Sequence, residues 1–566
     1  MMVKAGSGHF RLVAIIGLLV FGMLIVSRVG AEAASYLIFD MQDQGRTIEN
    51  KFSVLNSWFY DPTWRSDAAE QPEDYMASNF PFVETVQLMT ATGGVDWRDL
   101  FNDPYNRNVW WDYNFEKLKD AIRQVLRQGL KPYIKTGNVP EKYSSPPVIG
   151  VEFGANLRPP DDYEIYYRYI KALAEDLVKE FGIDEVKTWM WGVLTEYENK
   201  AWFDAGTPEE TKIAYFKLYD YTVAALEDVL GPENVIVGAH SMSVLEGYWD
   251  EREFIEHVAR GVNHRTGAVG TQIDFLAVSF YDRTLRGLDH AKLIETVSLV
   301  REKAEEVGLA GLRYGVDEGR ILQGWDSKPL VSAALNLSAQ GAADAKLFKV
   351  LVDHDIDWFA LWSLSTGGTW GGANAIGSNI ANLTYRMVGD TRIGGEVVCR
   401  SEHTHVDIDG LASYDAETQT LRLLVYNVQR DPFSRIDDEV IMEIRNIAAV
   451  DGGTVTLELW RVDDDHANWW PAWEADERER GLTDSDYNNW SKYSVEIPEV
   501  LRNPADQEFW RTREPVYYEL SQLRSTVLKV SIQDGILEIS DYLPGHGVAF
   551  YEIRGVVPAQ KKAVTN

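Results

Sequence analysis

The chain has 566 residues, of which 45% are hydrophobic and 12% aromatic. It can therefore bury more than one core, and this composition excludes a disordered or fibrous protein. The formal net charge of −32 repels nucleic acid and anionic membranes, so neither is an expected partner. Because Cys399 is the one cysteine, an intramolecular disulfide is excluded. We expect two or three domains whose stability comes from apolar cores.

The first 33 residues have the pattern of a secretory signal peptide. Lys4 and Arg11 precede an apolar run over residues 12–26, and Ala31 and Ala33 form a small-residue cleavage site. We expect cleavage after Ala33, a secreted or periplasmic mature protein, and no stable membrane insertion after cleavage. An uncleaved N-terminal anchor is the alternative that the same pattern allows.

Residues 34–50 contain the apolar stretch "ASYLIFDMQ", which has the character of a single β-strand. It precedes the first repeated unit of the chain and resembles in texture the alternating runs near the C-terminus. We expect this strand to join a C-terminal β domain.

Between residues 51 and 390, short apolar runs alternate with helical patterns, which is typical of βα units and a parallel sheet. Eight strands are predicted, at Phe52–Trp58, Val83–Met89, Lys131–Lys135, Val186–Leu194, Asn234–Gly238, Ile273–Phe280, Arg313–Val316 and Trp358–Leu364. Eight strands with crossover helices predict an α/β fold, the (β/α)8 or TIM barrel.

The helices between these strands carry their own end signals. Apolar residues recur at helical spacing over Leu118–Leu126, and Gly129 ends the pattern where a glycine is favoured. In "TPEE", Thr207 suits the N-cap, Pro208 suits the first turn, and Glu210 completes a capping box.

From residue 391 to residue 560 the pattern changes to alternating runs such as "TLRLLVYNV" and "GTVTLELWRV". Such runs, separated by turns, predict an antiparallel β-sandwich as an accessory domain. Residues 561–566 form a short tail.

Two glutamates follow non-adjacent strands of the predicted barrel. Glu196 follows the fourth strand in "WMWGVLTEYEN", and Glu318 follows the seventh in "LRYGVDEGR". Because the C-terminal strand ends of such a barrel meet at one mouth, we expect the two carboxylates to face each other. This is the arrangement that hydrolyses a glycosidic bond, with retention at a separation of about 5 to 5.5 Å and inversion at a wider one. Sequence spacing leaves both outcomes open.

Several segments of the chain resemble glycoside hydrolase family 39, the barrel family of β-xylosidases and α-iduronidases. The matching positions are the Trp-rich end of strand four (Trp191 to Glu196), "DFLAVSFYD" in strand six, the pair Asp317-Glu318, and Trp362 in strand eight. The resemblance continues through "WWDYNFEKLKDAIRQVLRQGLKPYI" and, beyond the barrel, through "LELWRVDDDHANWWPAWEA". It covers most of the mature chain.

The resemblance implies that Glu196 is the general acid/base and Glu318 the nucleophile of a retaining enzyme. Where the family has Asn-Glu-Pro, this chain has Thr195, Glu196 and Tyr197. The family's asparagine hydrogen-bonds the sugar 2-hydroxyl, so we expect a substrate that differs from a β-xyloside at C2 or in ring form. Glu198 is a possible substitute acid, although a salt-bridge or loop role is favoured.

Three further residues at strand ends are candidates for contact with the substrate or the glutamates. Trp362 is predicted to stack on a sugar, Tyr281 to hydrogen-bond Glu318, and His240 to contact a sugar hydroxyl. The alternatives are core packing for Trp362, a wall position for Tyr281 and a structural role for His240.

A second group of candidates lies around the same mouth. Trp110 and Trp111 are predicted to form a subsite wall, with domain packing as the alternative. Lys135, Arg283 and Arg320 would bind a substrate carboxylate, but for Arg320 we favour a role in balancing the acidic pair that precedes it.

The predicted partner is a carbohydrate substrate. The acidic runs "VDDDH" and "DHDID" lack the spacing of metal sites, so we expect no metal and no cofactor. The leading prediction is an exported glycosidase, and the alternative is a non-catalytic carbohydrate-binding protein built on the same barrel. The sequence indicates no oligomeric state.

Overall fold

The computed structural model describes most of the chain. The described residues are 34–57, 72–94, 99–151, 153–242, 247–282, 290–321, 336–362, 376–400, 406–448, 453–481 and 504–560. The predicted signal peptide and the C-terminal tail lie outside these residues. Within them, no helix combines the length and the hydropathy needed to cross a membrane.

After the first strand, β1 (Ser35–Thr47), the chain builds an eight-stranded parallel sheet. Its strands are β2 (Val54–Ser57), β3 (Thr85–Leu88), β4 (Lys131–Thr136), β5 (Met190–Val193), β6 (Ile236–Ser241), β7 (Phe275–Asp282), β8 (Arg313–Ile321) and β9 (Trp358–Leu361). They pair in chain order from β2 to β9, and Phe359 N donates to Lys51 O at 2.7 Å. This bond brings the last strand back to the first, so the predicted TIM barrel is confirmed.

Helices surround the barrel strands. They are α1 (Tyr75–Asn79), α2 (Glu116–Arg127), α3 (Tyr163–Phe181), α4 (Ile183–Val186), α5 (Pro208–Leu230), α6 (Arg252–Arg260), α7 (Ala291–Val307), α8 (Ser338–Asp353) and α9 (Ile376–Tyr385). The capping box at the start of α5 is present, because Thr207 N donates to Glu210 Oε2 at 2.9 Å and Glu210 N donates to Thr207 Oγ1 at 3.3 Å.

The fourth barrel strand is shorter than predicted. The sequence predicts a strand from Val186, but residues 183–186 form α4 and β5 begins at Met190. Trp189 lies between them, and its Nε1 donates to Glu185 Oε1 at 2.9 Å. The apolar side chains before Met190 are buried against the helical layer, so hydrophobicity alone extended the predicted strand too far.

The C-terminal strands form a second, mostly antiparallel sheet domain, as predicted. They are β10 (Thr391–Cys399), β11 (Val406–Asp415), β12 (Thr420–Gln429), β13 (Asp438–Arg445), β14 (Thr454–Val462), β15 (Ser525–Gln533), β16 (Ile536–Leu543) and β17 (Val548–Arg554). The pairing order is β1-β10-β11-β12-β17-β14-β15-β16-β13. The last strand, β13, pairs with β1 in parallel and so closes the sheet. The N-terminal strand thus fills the gap that would otherwise leave two open sheet edges.

Two helices between β14 and β15 were not predicted. α10 (Trp470–Arg480) and α11 (Pro504–Leu520) pack through Trp473 and Tyr517, whose ring centres are 6.1 Å apart. Asp476 accepts hydrogen bonds from Arg513 and from Tyr517, both at 2.6 Å. Because these helices pack through a few aromatic and charged side chains, they lack the apolar stripe that sequence analysis detects.

The apolar core of the barrel extends into the β domain, which also has a buried cluster of its own. Tyr426, Trp460 and Phe550 of the β domain belong to the same buried cluster as the barrel helices. At the edge of this contact, Arg422 pairs with Asp390 at 2.8 Å. The β domain therefore supports the outer helices of the barrel.

The barrel interior alternates large side chains with glycines. A Cβ on Gly315 would lie 2.0 Å from Trp358 Cε2, and one on Gly238 would lie 2.3 Å from Phe275 Cδ2. Both aromatic side chains are buried in the interior cluster. Glycine on one strand therefore makes room for an indole or phenyl ring on its neighbour.

We predict that Gly315→Ala destabilises the protein by about 1–3 kcal/mol, the usual range for overpacking a core. Urea unfolding monitored by circular dichroism measures this change. The control is Gly45→Ala, where the nearest atom to a new Cβ is 3.6 Å away. Equal unfolding midpoints for both variants would contradict this account of the interior.

Candidate active site

The turn after β5 places Glu196 in a strained backbone conformation. Leu194 has φ +65° and Glu196 has φ +45°, a region that residues other than glycine seldom occupy. Gly137 packs against this turn, where a Cβ would lie 2.6 Å from Leu194 N. Tyr197 N donates to His240 O at 2.9 Å. Strain held in place by neighbouring strands is characteristic of functional sites.

Both carboxylate oxygens of Glu196 accept hydrogen bonds. Ser279 Oγ on β7 donates to Oε1 at 2.7 Å, and Asn199 Nδ2 donates to Oε2 at 2.6 Å. The side chain is buried, with 8% of its surface exposed. The turn and β7 together fix the orientation of this carboxyl group.

A bulge in β8 turns two consecutive acidic side chains toward the barrel axis. In the pairing with β7, Val278 lies opposite Val316 and Ser279 opposite Glu318, so Asp317 is the extra residue. Neighbouring residues of a regular strand point to opposite faces, whereas a bulge re-aims a side chain. Asp317 and Glu318 consequently share the interior of the barrel.

Asp317 is the buried anchor of this arrangement. Its Oδ2 accepts hydrogen bonds from Tyr133 Oη and Lys135 Nζ, both at 2.6 Å, and its Oδ1 accepts from Trp358 Nε1 at 3.0 Å. The side chains of Lys135 and Asp317 are both 0% exposed. Burial lowers the pKa of Lys135, while the charge of Asp317 opposes that shift.

Glu318 has one engaged oxygen and one without a partner. Tyr281 Oη donates to Oε1 at 2.6 Å, while Oε2 is buried and finds no hydrogen-bond partner among the described residues. Burial, and then the charge of Glu196, raise the pKa of Glu318 to about 8, against the opposing effects of Tyr281 and Lys135. Because the charge of each carboxyl disfavours ionisation of the other, Glu196 and Glu318 titrate as a pair.

The structure changes the roles of three predicted substrate-binding residues. Lys135 is committed to Asp317 and is fully buried, so it is not placed to bind a substrate carboxylate. His240 is also fully buried, with Nε2 2.8 Å from Ser279 Oγ, and does not line the mouth as a sugar contact. Thr195 is 1% exposed, and its hydroxyl points at Met89 Sδ, 3.6 Å away.

The predicted aromatic contacts lie at two places: Trp362 beside Tyr281, and Trp110 and Trp111 in an exposed loop. The Trp362 ring meets that of Tyr281 edge to face at 6.4 Å. Trp110 and Trp111 are 40% and 67% exposed, and Tyr143 Oη anchors their loop by donating to Trp110 O at 2.8 Å. Stacking of Trp362 on sugar and a subsite wall at Trp111 stay predictions.

The remaining charged candidates have other surroundings than predicted. Arg320 pairs with Asp344 of α8 at 2.7 Å, so it does not primarily balance the acidic pair before it. Arg283 lies outside the described residues. Glu198 is fully buried, and its Oε1 accepts from Ser241 Oγ and Met242 N, both at 2.7 Å. Burial raises the pKa of Glu198 to about 8.

Sequence analysis missed Ser279 and Asn199, which both donate hydrogen bonds to Glu196. The strand period of two places Ser279 on the same face as Tyr281, a signal that could have identified it. Asn199 follows Glu196 by three residues, and its contact depends on the tight turn, where Asn199 N donates to Glu196 O at 2.7 Å.

One group of potential metal ligands occurs in the described part of the chain, in the helical layer. Asp220 of α5 lies against His257 of α6 and against His264. Its Oδ1 also accepts from Thr271 Oγ1 at 2.6 Å, and its Oδ2 from His264 N at 2.8 Å. These donors satisfy the carboxylate without a cation, so we interpret the group as a hydrogen-bonded brace.

We predict that Lys135→Met destabilises the protein by about 3–5 kcal/mol, because it leaves Asp317 buried without its counter-charge. Urea unfolding measures the loss, and Lys135→Met combined with Asp317→Asn should recover part of it. The control is Lys187→Met, which removes an exposed i,i+3 pair with Asp184 and should leave the midpoint unchanged. A loss no larger than in the control would contradict the anchoring role.

A second prediction concerns the pH dependence of stability. Because Glu318 has a folded-state pKa of about 8 against an ordinary value of 4.5, its protonation favours the folded state below pH 4.5, and this contribution is lost as pH rises through 8. Glu318→Gln has no carboxyl to ionise, so the variant does not lose this stability as pH rises. We expect the Tm of the variant minus that of the wild type to increase between pH 5 and pH 9, measured by scanning calorimetry.

The exposed Glu417→Gln is the matched control for this change, and its Tm difference should stay constant. A Glu318→Gln difference that is also constant over this range would show that burial of Glu318 costs the folded state nothing at high pH.

Comparison with known proteins agrees with this architecture. The model of glycosyl hydrolases family 39 matches residues 98–308. A beta-xylosidase of Caldicellulosiruptor saccharolyticus is 34% identical over 117 residues, 21% of this chain and 23% of that protein. The match therefore spans less than a quarter of that relative's length.

Solved structures match over nearly the whole chain. A monomeric beta-xylosidase from Caulobacter crescentus CB15 superposes with a TM-score of 0.64 at 15% identity, covering 92% of this chain and 99% of that one. The GH39 enzyme from Xanthomonas axonopodis pv. citri gives 0.63 at 14% identity, with 93% and 98% covered. At such identity the likeness shows the shared fold. The similarity to glycosyl hydrolases family 39 in sequence covers residues 98–308, most of the barrel, and the solved structures extend the likeness in fold to the β domain.

Proposed function

We propose that the protein is a retaining glycoside hydrolase in which Glu196 is the general acid/base and Glu318 the nucleophile. The observation that carries this proposal is the pair of buried carboxyls at the C-terminal ends of β5 and β8, with Oε2 of Glu318 unengaged by the described residues. A barrel mouth is where the loops of this fold meet the substrate.

The register supports a short distance between the carboxyls. Ser279 and Glu318 are direct partners on neighbouring strands, which lie about 4.8 Å apart. Ser279 Oγ is in turn 2.7 Å from Glu196 Oε1. The two glutamates thus flank one serine, which favours the separation of about 5 to 5.5 Å that double displacement requires.

The first step forms a covalent glycosyl-enzyme. Oε2 of Glu318 attacks the anomeric carbon as the bond to the leaving oxygen breaks, and Glu196 transfers its proton to that oxygen. In the second step Glu196 removes a proton from water, the hydroxide bonds to the anomeric carbon, and the Glu318 ester bond breaks. Tyr281 stabilises Glu318 as a carboxylate before the first step and after the second.

We propose that the substrate is a carbohydrate that differs from a β-xyloside at C2 or in ring form. Relatives named beta-xylosidase make a glycoside the expected substrate class. Thr195 is buried against Met89 and offers no hydroxyl to the mouth, whereas the resemblance assigns a 2-hydroxyl contact to this position. Trp362 and Trp111 would supply stacking surfaces at an inner and an outer subsite.

We further propose that the protein is exported, on the signal-peptide pattern of residues 1–33. Expression of the full chain followed by cell fractionation and N-terminal sequencing tests this proposal. A mature protein that begins after Ala33 outside the cytoplasm is the expected result, and an intact N-terminus in the membrane fraction would support the anchor instead.

Substitution of the two glutamates separates their roles. We expect Glu196→Ala and Glu318→Ala each to lower kcat by at least about a hundredfold on substrates with poor leaving groups. On dinitrophenyl glycosides, whose leaving group needs little proton donation, added azide should raise turnover in both variants, giving a glycosyl azide of retained configuration with Glu196→Ala and of inverted configuration with Glu318→Ala. Product analysis by NMR on a panel of aryl glycosides measures this.

Glu417→Ala is the control and should hydrolyse the panel like the wild type. Full activity in Glu318→Ala would contradict the nucleophile assignment. Binding without turnover by the wild type across the panel would support the alternative, a carbohydrate-binding protein.

The titration of Glu196 and Glu318 as a pair also predicts how catalysis depends on pH. The productive form holds one proton on the carboxyl pair, and the pKa of Glu318 within this pair is about 8. We therefore expect kcat/KM to fall as pH rises through about 8, and a rate that stays constant to pH 10 would contradict the assignment.

A further inference from the structure

A serine and a histidine lie behind Glu196, on the side away from Asn199. Ser279 Oγ is 2.7 Å from Glu196 Oε1 and 2.8 Å from His240 Nε2. Ser279 is 3% exposed and His240 is fully buried. The three side chains form a chain of hydrogen bonds that runs from the mouth into the wall between β6 and β7.

The imidazole of His240 is neutral. Burial, and then the charge of Lys135, hold the pKa of His240 well below its usual range. A neutral imidazole carries one proton, on either Nε2 or Nδ1. His240 Nδ1 is buried and has no hydrogen-bond partner among the described residues.

The position of that one proton determines which groups donate and which accept in the hydrogen bonds from His240 through Ser279 to Glu196. A proton on Nδ1 would leave a buried N–H group without an acceptor, which costs about 1–3 kcal/mol. A proton on Nε2 is instead donated to Ser279 Oγ. The serine hydroxyl then has to donate its own proton to Glu196 Oε1.

We infer that His240 and Ser279 are positioning residues: Nε2–H of His240 orients the Ser279 hydroxyl so that it donates to Oε1 of Glu196 and favours ionisation of this carboxyl. This inference rests on the proposed function and specifies how the acid/base is prepared for it. Neither residue is required to touch the substrate. Their effect is on how readily the acid proton leaves.

Other titratable groups also face Glu196 and influence how readily it ionises. Glu318 acts from β8, Lys135 from β4, and Tyr281 from β7. Removing Ser279 leaves these three groups in place. A change in the Ser279 variant therefore reports the lost donor at Oε1.

Loss of this donor should weaken Glu196 as an acid, because a hydrogen bond to a carboxylate stabilises its ionised form. We expect Ser279→Ala to lower kcat/KM by about tenfold or more for glycosides with poor leaving groups. For dinitrophenyl glycosides, which need little proton donation, the change should be below about threefold. The basic limb of the pH profile should move to higher pH.

The kinetic experiment measures kcat/KM for a series of aryl glycosides of increasing leaving-group pKa, from pH 5 to pH 9. Ser279→Thr keeps the hydroxyl and should retain the wild-type dependence. His240→Phe should reproduce the Ser279→Ala profile, and the double variant should lose nothing more. An equal loss on all substrates with an unmoved basic limb would overturn the inference. Absence of turnover in the wild type would instead overturn the proposed function.

A second measurement does not require turnover. Nitrogen-15 NMR of histidine-labelled protein distinguishes the two imidazole tautomers, and His240→Phe identifies the resonance by its disappearance. We expect protonated Nε2 and unprotonated Nδ1 throughout pH 5–9. A protonated Nδ1 would overturn the inference whether or not the protein is active.

Discussion

The buried ion pair of Lys135 and Asp317 is the interaction on which the barrel mouth depends. Both side chains are 0% exposed and 2.6 Å apart, so each compensates a charge that would otherwise be strongly unfavourable in the interior. The extra residue in β8 makes the pair possible, because it turns Asp317 inward while Glu318 keeps its place opposite Ser279. Tyr133 and Trp358 complete the hydrogen bonding of Asp317. Glu318, the proposed nucleophile, is thus held by the barrel core.

The same ion pair contributes to the electrostatics of the two glutamates, although burial has the largest effect on the pKa of Glu318. Three carboxyl groups, those of Glu196, Asp317 and Glu318, lie around one ammonium group, and burial strengthens the repulsion between them. Asp317 takes the direct contact with Lys135, so among the described ion pairs this cation contacts neither Glu196 nor Glu318 directly. The two carboxyls differ in their hydrogen-bond donors, and the different roles that we propose for them rest on this difference.

Much of the barrel could be predicted from sequence because its signals are local. Each signal depends on the residues of one segment alone: the apolar runs, the glycine that follows α2 and the capping box of α5. The placement of Glu196 and Glu318 at one mouth followed from the barrel topology. The fate of Lys135 did not, because it depends on a bulge in a strand more than 180 residues away. Ser279 and the helices α10 and α11 were missed for the same reason: contacts between distant segments define them.

The central claim is that Glu318 forms a covalent bond with the sugar. Inactivation by a panel of 2-deoxy-2-fluoro glycosides, followed by proteolysis and mass spectrometry, tests it most directly, because the fluorine slows release of the glycosyl-enzyme. The account predicts one sugar per chain, attached within the peptide that contains residues 313–321 and absent from Glu318→Gln. A sugar attached to Glu196, or hydrolysis with inverted configuration and no adduct, would contradict it.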